Sequence, residues 1–518
     1  MKQFFALLTG ISLVLTVDLA SAALLPVPNS QPKVAYDWKP VLEKTWQGIK
    51  ARNIAPYTTG MVHRPKSETP NDAVSEGQGY GMMVALFAGD QAAFDSIWTA
   101  SNKYMWNGNA LDWRTNVTGT KVGFNAATDA EQDVAAMLIL ADSLVKAGIW
   151  VDDSVGRGNV GYAARAQVML NHIWATMVES HTGTNGIEYH LRPGDAWGGY
   201  SHLNPGYYTP AYYRIFASFD TLSTHYWLEL ADQAYRTLDS TDGAALGLVP
   251  DWCLGNGDYT TGAAGYNGYA GGQYFFKDAI RILWRVATDA LWFDEPKAKT
   301  FLAKSLSFLM SKGGAPAANF YTMAGDVVPS TDTWTFNGGN TVRHRNEHSP
   351  LTIGMWATVA MAVGTDAQRK AMSDEMQKFY GTGNDFFGLA NDTSALQEDT
   401  LHNEMYFDQF LAWFGTAMMA GVYSNVMYDI ANPPVVAVLP MQQTWQGLHI
   451  QRSPNQVHFK LGIPDVALRV LDLHGRELGR GLTDAQGNWI WNVPSHTQGV
   501  AIVRLVGTYQ SSRIFSIE

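Results

Sequence analysis

The sequence holds one cysteine, Cys253, in 518 residues. No intramolecular disulfide can form and a cysteine-rich metal site is excluded, so a large buried core must supply the stability. Charge is also scarce: charged residues make up 16%, with 36 Lys and Arg against 47 Asp and Glu, a net charge of −11. There is no dense Lys/Arg run. That argues against a nucleic-acid partner, because phosphate binding wants a basic patch. Beyond the first residues no apolar stretch reaches the length of a transmembrane helix, so no membrane span is expected. Internal repeats and low-complexity tracts are absent as well.

What is present is apolar and aromatic. Hydrophobic residues make up 46%, with 18 Trp, 23 Tyr and 22 Phe. This composition excludes a disordered chain. Most aromatics should be core, but aromatic faces also stack on flat ligands such as sugar rings. Residues 1–22 read as a signal peptide: Lys2 is the positive end, Phe4 to Val17 the apolar run and Ala20-Ser21-Ala22 the cleavage site. The mature protein is expected to start near Ala23 and to be secreted or held at the cell surface.

Residues 23–431 carry a helical pattern with long Gly/Asn/Asp-rich interruptions. Amphipathic segments fall at 37–52, 76–89, 91–106, 129–147, 160–178, 209–218, 221–239, 278–291, 295–311, 350–364, 366–380 and 404–421. Ser349-Pro350 and Asp366 are helix-start signals. Twelve helices without strand alternation predict an all-α domain, and paired helices in this number can close into a double-layered toroid around a central cleft. Loops such as Gly194–Tyr200 and Asn204–Tyr208 are rich in Trp, Tyr and Gly, and long irregular loops are often functional. Residues 432–440 read as a linker. From residue 441 to 518 the pattern changes to period two, with strands at 467–472, 488–493 and 500–505, a small antiparallel β-domain.

Three acid clusters stand out. In Val74-Ser75-Glu76-Gly77-Gln78-Gly79-Tyr80-Gly81, Ser75 is a candidate N-cap and Glu76 opens a helix that becomes apolar. A carboxyl group entering a core near aromatic Tyr80 is partly desolvated, which raises its pKa and suits a general acid. A first-turn glutamate serving only the helix dipole is the plainer alternative. Asp129 and Asp133 are four apart and share a helix face, with Thr128 as a cap; the run Val134–Leu140 must be buried, so at least one acid faces the cleft. Asp278 is expected to start a helix with Arg281 one turn on, and the arginine should lower its pKa and keep it ionised. The plainer alternatives there are solvated dipole partners and a structural salt bridge. One protonated acid plus one charged carboxylate is the pairing of an inverting glycoside hydrolase, whose carboxyls stand roughly 6.5–9.5 Å apart.

His344 to His348, the acidic stretch Asp392 to Asp399 and Gly77-Gln78-Gly79 are set aside as metal or nucleotide sites, and Cys253 as simple packing. No metal and no cofactor are expected.

Ordered motifs from about residue 70 to 295 resemble glycoside hydrolase family 8, and within it the bacterial cellulases. They are Val74–Gly81, Ala126–Asp133, Pro193–Gly199, Asn204–Tyr213, Gly247–Cys253 and Asp278–Arg281 with Trp284-Arg285. The resemblance implies an (α/α)6 barrel and an inverting endo-1,4-β-glucanase that cuts a β-1,4-linked polysaccharide. By that match Glu76 is the general acid, Asp278 the general base and Asp129 the acid that binds and distorts the sugar. Trp113 and Trp197 match aromatic platforms, and Tyr406 a tyrosine near the reactive sugar. Arg281 and Tyr80 complete the expected substrate-binding set. Two departures, Ala196 and Lys277, replace an arginine and an aromatic common in the family's cellulases. Xylan, mixed-linkage β-glucan or chitosan as substrate, and a non-catalytic glycan-binding protein, are the alternatives. The β-domain resembles sorting modules that follow secreted enzymes, so it could engage secretion machinery or attach the enzyme to the cell surface; an accessory or carbohydrate-binding module is the alternative.

Overall fold

The computed structural model of the chain describes residues 31–65, 69, 71–154, 159–183, 186–242, 244–260, 273–328, 333–335, 341–343, 348–380, 385–388, 406–431, 449–453, 455–461, 467–471, 477–494, 500–506 and 512–516. The signal segment, the linker, the Asp392–Asp399 stretch and His344 lie outside the described residues. The chain divides into two units, Met1–Pro434 and Val435–Glu518.

The first unit is helix-rich. Its helices are α1 (Lys39–Ile49), α2 (Ser75–Phe87), α3 (Gln91–Tyr104), α4 (Thr128–Lys146), α5 (Tyr162–His172), α6 (Pro210–Phe219), α7 (Trp227–Thr241), α8 (Arg281–Phe293), α9 (Pro296–Ser311), α10 (Pro350–Val363), α11 (Asp366–Lys378), α12 (Tyr406–Met419) and a short α13 (Val426–Ala431). The even-numbered helices other than α6 are buried nearly all round: in α2 every residue but Glu76, in α12 every residue but Phe407. The odd-numbered ones bury a single stripe, as in α7 with Leu230, Ala231, Ala234, Tyr235 and Leu238. That contrast marks inner and outer layers. Each inner helix packs on the next, α2 on α4, α4 on α6, α6 on α8, α8 on α10, α10 on α12, and α12 returns to α2.

Twelve helices appear where the periodicity places them, with instructive differences at the ends. α1 and α5 stop early because π-helical turns, Lys50–Ile54 and Ile173–Met177, continue each of them. α7 starts at Trp227 instead of residue 221. The Asp220 carboxylate accepts from Leu222 N, His225 Nδ1 and Trp227 Nε1, holding the intervening residues in a loop. The cap of α11 is Thr365 rather than Asp366, in a capping box with Gln368. Ser349 does precede Pro350 of α10, but its hydroxyl donates to Asn319 Oδ1 instead of capping.

Short strands occur that the helical pattern conceals. β1 (Ala73–Val74), β2 (Arg114–Thr115) and β3 (Lys121–Gly123) form one antiparallel sheet, and β4 (Val178–Gly183) with β5 (Gly186–Leu191) a hairpin. β6 (Tyr274–Phe275) pairs with β7 (Tyr321–Thr322), and β8 (Thr333–Thr335) with β9 (Thr341–Arg343). In the second unit β10 (His449–Ser453), β11 (Gln456–Lys460) and β14 (Asn488–Asn492) form one antiparallel sheet. There β12 (Ala467–Leu471), β13 (Glu477–Leu482), β15 (Val500–Val506) and β16 (Ser512–Ser516) form another. Val457, Phe459, Leu468, Val470, Trp491 and Val503 make their shared core.

The tightest helix crossing is α10 on α12. A Cβ on Gly415 would overlap the carbonyl oxygen of Gly354, so the two backbones meet with no room for a side chain. Alanine is the better helix former by about 1 kcal/mol, yet overpacking costs about 1–3 kcal/mol or more. Gly415→Ala is expected to lower the urea midpoint of the first unit; a raised midpoint would show that local propensity, not the crossing, governs this position.

Candidate active site

Four inner helices point their N-terminal ends at one place. Glu76 is the second residue of α2, Asp129 the second of α4, Arg281 the first of α8 and Tyr406 the first of α12. The partial positive charge of helix N-termini suits a site built from carboxylates.

Each acid is held locally. Ser75 is not a cap: it is the buried first residue of α2, Val74 before it is extended, and the Ser75 N–H donates to Trp113 O at 2.9 Å. The start of α2 is strapped instead by Gln78. Its amide oxygen accepts from Val62 N at 2.9 Å, and its Nε2 donates to Val62 O at 2.8 Å and Val74 O at 3.0 Å. Thr128 likewise begins α4 rather than capping it, and its hydroxyl donates to Arg192 O at 2.6 Å. Asp278 stands in a turn before α8, not in the helix. The Asp251 carboxylate accepts from Phe276 N at 3.2 Å and Ala279 N at 2.8 Å, satisfying these amides outside any helix. A Cβ on Gly206 would overlap Asp278 O, so the Asn204-Pro205-Gly206 loop can lie against this turn only with glycine there.

One guanidinium joins the three acids. Arg281 Nη1 donates to Glu76 Oε2 at 2.6 Å and to Asp129 Oδ2 at 2.9 Å, and Nη2 donates to Asp278 Oδ1 at 2.9 Å. Its carbon lies 5.0 Å from the Tyr207 ring centroid and 5.8 Å from that of Phe407. Glu76 Oε1 takes the Tyr406 hydroxyl, and Asp278 Oδ2 accepts from Asn204 Nδ2 at 3.0 Å. Asp129 Oδ1 is buried and has no hydrogen-bond partner among the described residues. One turn deeper Asp133 pairs with Arg285 through both oxygens, Oδ2 at 2.9 Å. Asp129 and Asp133, four apart on α4, thus meet Arg281 and Arg285, four apart on α8, in two tiers.

The charge balance decides where the proton sits. Three carboxylates share one arginine, so the upper tier cannot be neutral with all three ionised. Burial pushes the Glu76 carboxyl up to about 7, with Arg281 and the Tyr406 hydrogen bond opposing and Asp129 and Asp278 adding to the rise. Asp278 is also raised: burial outweighs Arg281, with Asp129 adding and Asn204 and Lys277 opposing. Arg281 does lower it, as expected, but the expectation of a net fall is corrected, because burial is the larger effect and Asp129 adds to it.

The other expected residues fall in different places. Trp113 is 38% exposed beside the start of α2. Trp197 sits on the loop after β5, 5.8 Å from the Trp252 ring. Tyr80 is fully buried among Trp284, Tyr406, Phe410 and Phe414, so it backs the site and offers no face to a ligand. Arg281, 1% exposed, organises the acids rather than meeting solvent. Asn204 and Asp251, and the pairing of Asp133 with Arg285, were not singled out in the sequence, although all four residues lie in its motifs and Asp133 was a candidate beside Asp129. Their partners are 74, 28 and 152 residues away, beyond the reach of spacing rules. His348 Nδ1 contacts Ala317 O at 2.8 Å, and its Nε2 lies 3.3 Å from Glu375 Oε1. Among the described residues no cluster of His, Cys, Asp and Glu could hold a metal, and no helix is long and apolar enough to cross a membrane.

Comparison with known proteins gives a consistent picture. The family model described as glycosyl hydrolases family 8 matches residues 31–388. Endoglucanase 2 of Ruminiclostridium josui is 32% identical over 397 residues, 73% of this chain and 77% of that protein. Endoglucanase C of Ruminiclostridium cellulolyticum is 32% identical over 347 residues, 64% of this chain and 70% of that one. Among solved structures, Rex8A from Paenibacillus barcinonensis complexed with xylose superposes with a TM-score of 0.54 at 21% identity, covering 75% of this chain and 94% of that one. That likeness is one of fold.

The raised Glu76 carboxyl has a consequence for stability. The folded chain keeps a proton at about 7 that the unfolded chain releases near 4.5. Stability from this group is therefore complete below about 4.5 and lost as pH rises through about 7. Glu76→Gln, which cannot ionise, should flatten the fall in melting temperature between these pH values; an unchanged slope would show that Glu76 is not the proton's site.

Proposed function

The chain belongs to glycosyl hydrolase family 8, and from that premise we propose that it is an endo-1,4-β-glucanase acting with inversion at the anomeric carbon. The carrying observation is the arginine-bridged acid cluster, in which one carboxyl is held protonated near neutral pH while the others share Arg281. The closed ring of inner helices supports reading the first unit as an (α/α)6 barrel, with the cluster where four of its inner helices begin.

In this mechanism Glu76 gives its proton to the glycosidic oxygen as the bond to the anomeric carbon breaks. A water attacks that carbon from the opposite face and passes a proton to Asp278. The turnover leaves Glu76 ionised and Asp278 protonated, and exchange with solvent resets both. Asp129 Oδ1, buried without a partner, is available to a sugar hydroxyl, which supports its role in binding and distorting the ring. Asn204 and Arg281 aim Asp278, and Tyr406 aims Glu76. Trp113 and Trp197 are the stacking platforms. No cofactor enters these steps.

We also propose that residues 1–22 direct export and that the protein works outside the cell or at its surface. The second unit reads as a β-sandwich accessory or sorting module, a reading supported by its two antiparallel sheets over one apolar core.

The test is a reducing-sugar assay on carboxymethylcellulose, lichenan, xylan and chitosan, with product configuration followed by NMR. Highest activity on the β-1,4-glucan, with an inverted first product, is expected; a retained configuration removes the mechanism. Glu76→Gln should lower kcat by about 10²–10⁴-fold, the usual worth of a general acid. In the native enzyme kcat/KM should fall as pH rises through about 7, where Glu76 loses its proton.

A further inference from the structure

Glu131 lies two residues beyond Asp129 on α4, and the mechanism gives it no part. Its side chain is fully buried, and no cation pairs with it among the described residues. Oε1 accepts from Leu111 N at 3.0 Å, while Oε2 is buried with no hydrogen-bond partner among the described residues. Burial pushes the carboxyl well above its usual range, with the Leu111 bond opposing and Asp195, Asp129 and Asp112 adding to the rise. A buried acid without a counter-ion is kept neutral. What Glu131 supplies is therefore an acceptor oxygen rather than a charge.

That oxygen holds the approach to Trp113. Leu111, Asp112 and Trp113 run directly ahead of β2. Besides the Leu111 bond, Asp112 N donates to Met105 O, Trp113 N donates to Asn125 O and Trp113 O accepts from Ser75 N, each at 2.9 Å. The exposed indole has no hydrogen bond of its own among the described residues. It lies over Gly123 of β3, where a Cβ would overlap the ring, and 5.6 Å from the guanidinium carbon of Arg114. The place of the ring is thus set by the backbone behind it. Three of the four bonds to that backbone come from other backbone groups. Only the Glu131 bond comes from a side chain, and it ties the segment to the start of α4, which carries Asp129.

We propose that Glu131 is a positioning residue for the substrate platform at Trp113, holding the Leu111–Trp113 segment to α4 so that the indole keeps a fixed place relative to Asp129. The inference rests on the function proposed above, in which Trp113 stacks on a sugar ring of the glucan. Stacking is directional, so a shifted ring meets the sugar less well. The contact lies away from the reacting bond and is made alike in the ground and transition states. Its loss falls on KM and spares kcat.

The test measures kcat and KM on cellohexaose for Glu131→Gln, Glu131→Leu and Glu131→Asp, with a melting curve for each. Glutamine keeps an uncharged acceptor for Leu111 N and should behave as wild type. Leucine fills the space without an acceptor and aspartate draws the acceptor back, so each should raise KM roughly fivefold at unchanged kcat. Glu131→Leu added to Trp113→Ala should raise KM no further, but added to Trp197→Ala it should keep its full effect. An unchanged KM in folded leucine and aspartate variants would overturn the proposal. So would a loss confined to kcat, a glutamine variant as impaired as leucine, or an effect fully additive with that of Trp113→Ala. Leucine and aspartate variants that both fail to melt cooperatively would also overturn it, by making Glu131 a support of the whole fold. Wild type that binds cellohexaose in calorimetry without cleaving it would remove the glucanase reading alone, because the same coupling to Trp113 is then read in Kd.

Discussion

Arg281 is the constraint on which the site depends. Its guanidinium, withdrawn from water and fixed against the rings of Tyr207 and Phe407, faces Glu76, Asp129 and Asp278 at once. An arginine stays charged under all relevant conditions, so the number of protons among the three acids is what varies. Removing it would leave three carboxyls crowded in a low-dielectric setting, with only Tyr406 favouring the ionised form of Glu76 and Asn204 and Lys277 that of Asp278. The lower pair, Asp133 with Arg285, keeps this arrangement in register. A buried ion pair is weak support for stability as such, but its geometry is demanding. Rotating or sliding α4 relative to α8 would break both tiers together.

Much of this was legible in the sequence. Helices betray themselves by period, and the inner layer by apolar runs too continuous for an amphipathic face, as at Val134–Leu140. The i to i+3 relation of Asp278 and Arg281 is local and could be read directly. Glu76 and Arg281 are 205 residues apart, and nothing in either segment names the other. That is why Asp278 was expected to have the arginine to itself; its shift came out opposite because burial, which the local pair does not reveal, outweighs the arginine. The shortest strands were missed for a different reason. β1, β2 and β3 are two or three residues long, too short to set up an alternation, and are fixed by long-range pairing instead. Ser75 and Thr128 carry the right side chain for a cap but use the backbone and distant carbonyls instead, a choice made by the surrounding chain.

The separation of inner from outer helices also explains the aromatic surplus. Trp284, Tyr80, Phe410 and Phe414 fill the space between inner helices behind the acids, with contacting ring centroids 4.7–6.3 Å apart. Large rigid side chains leave few voids there, and water is thereby kept from the back of the site. The desolvation that raises Glu76 is thus a property of the packing rather than of the acid's own neighbours in sequence.

The contact between Tyr406 and Glu76 spans 330 residues and joins the last inner helix to the first. Closing so long a loop costs configurational entropy, which rises only by about 0.6 kcal/mol for each doubling of length. The cost is modest in equilibrium terms. Until α12 packs against α2 the acid lacks the Tyr406, Phe410 and Phe414 side of its dry wall, and burial is the main cause that holds its proton. Catalytic competence is therefore a readout of ring closure: a chain still emerging, or one cut before α12, would carry all three acids and lack the environment that makes one of them a proton donor.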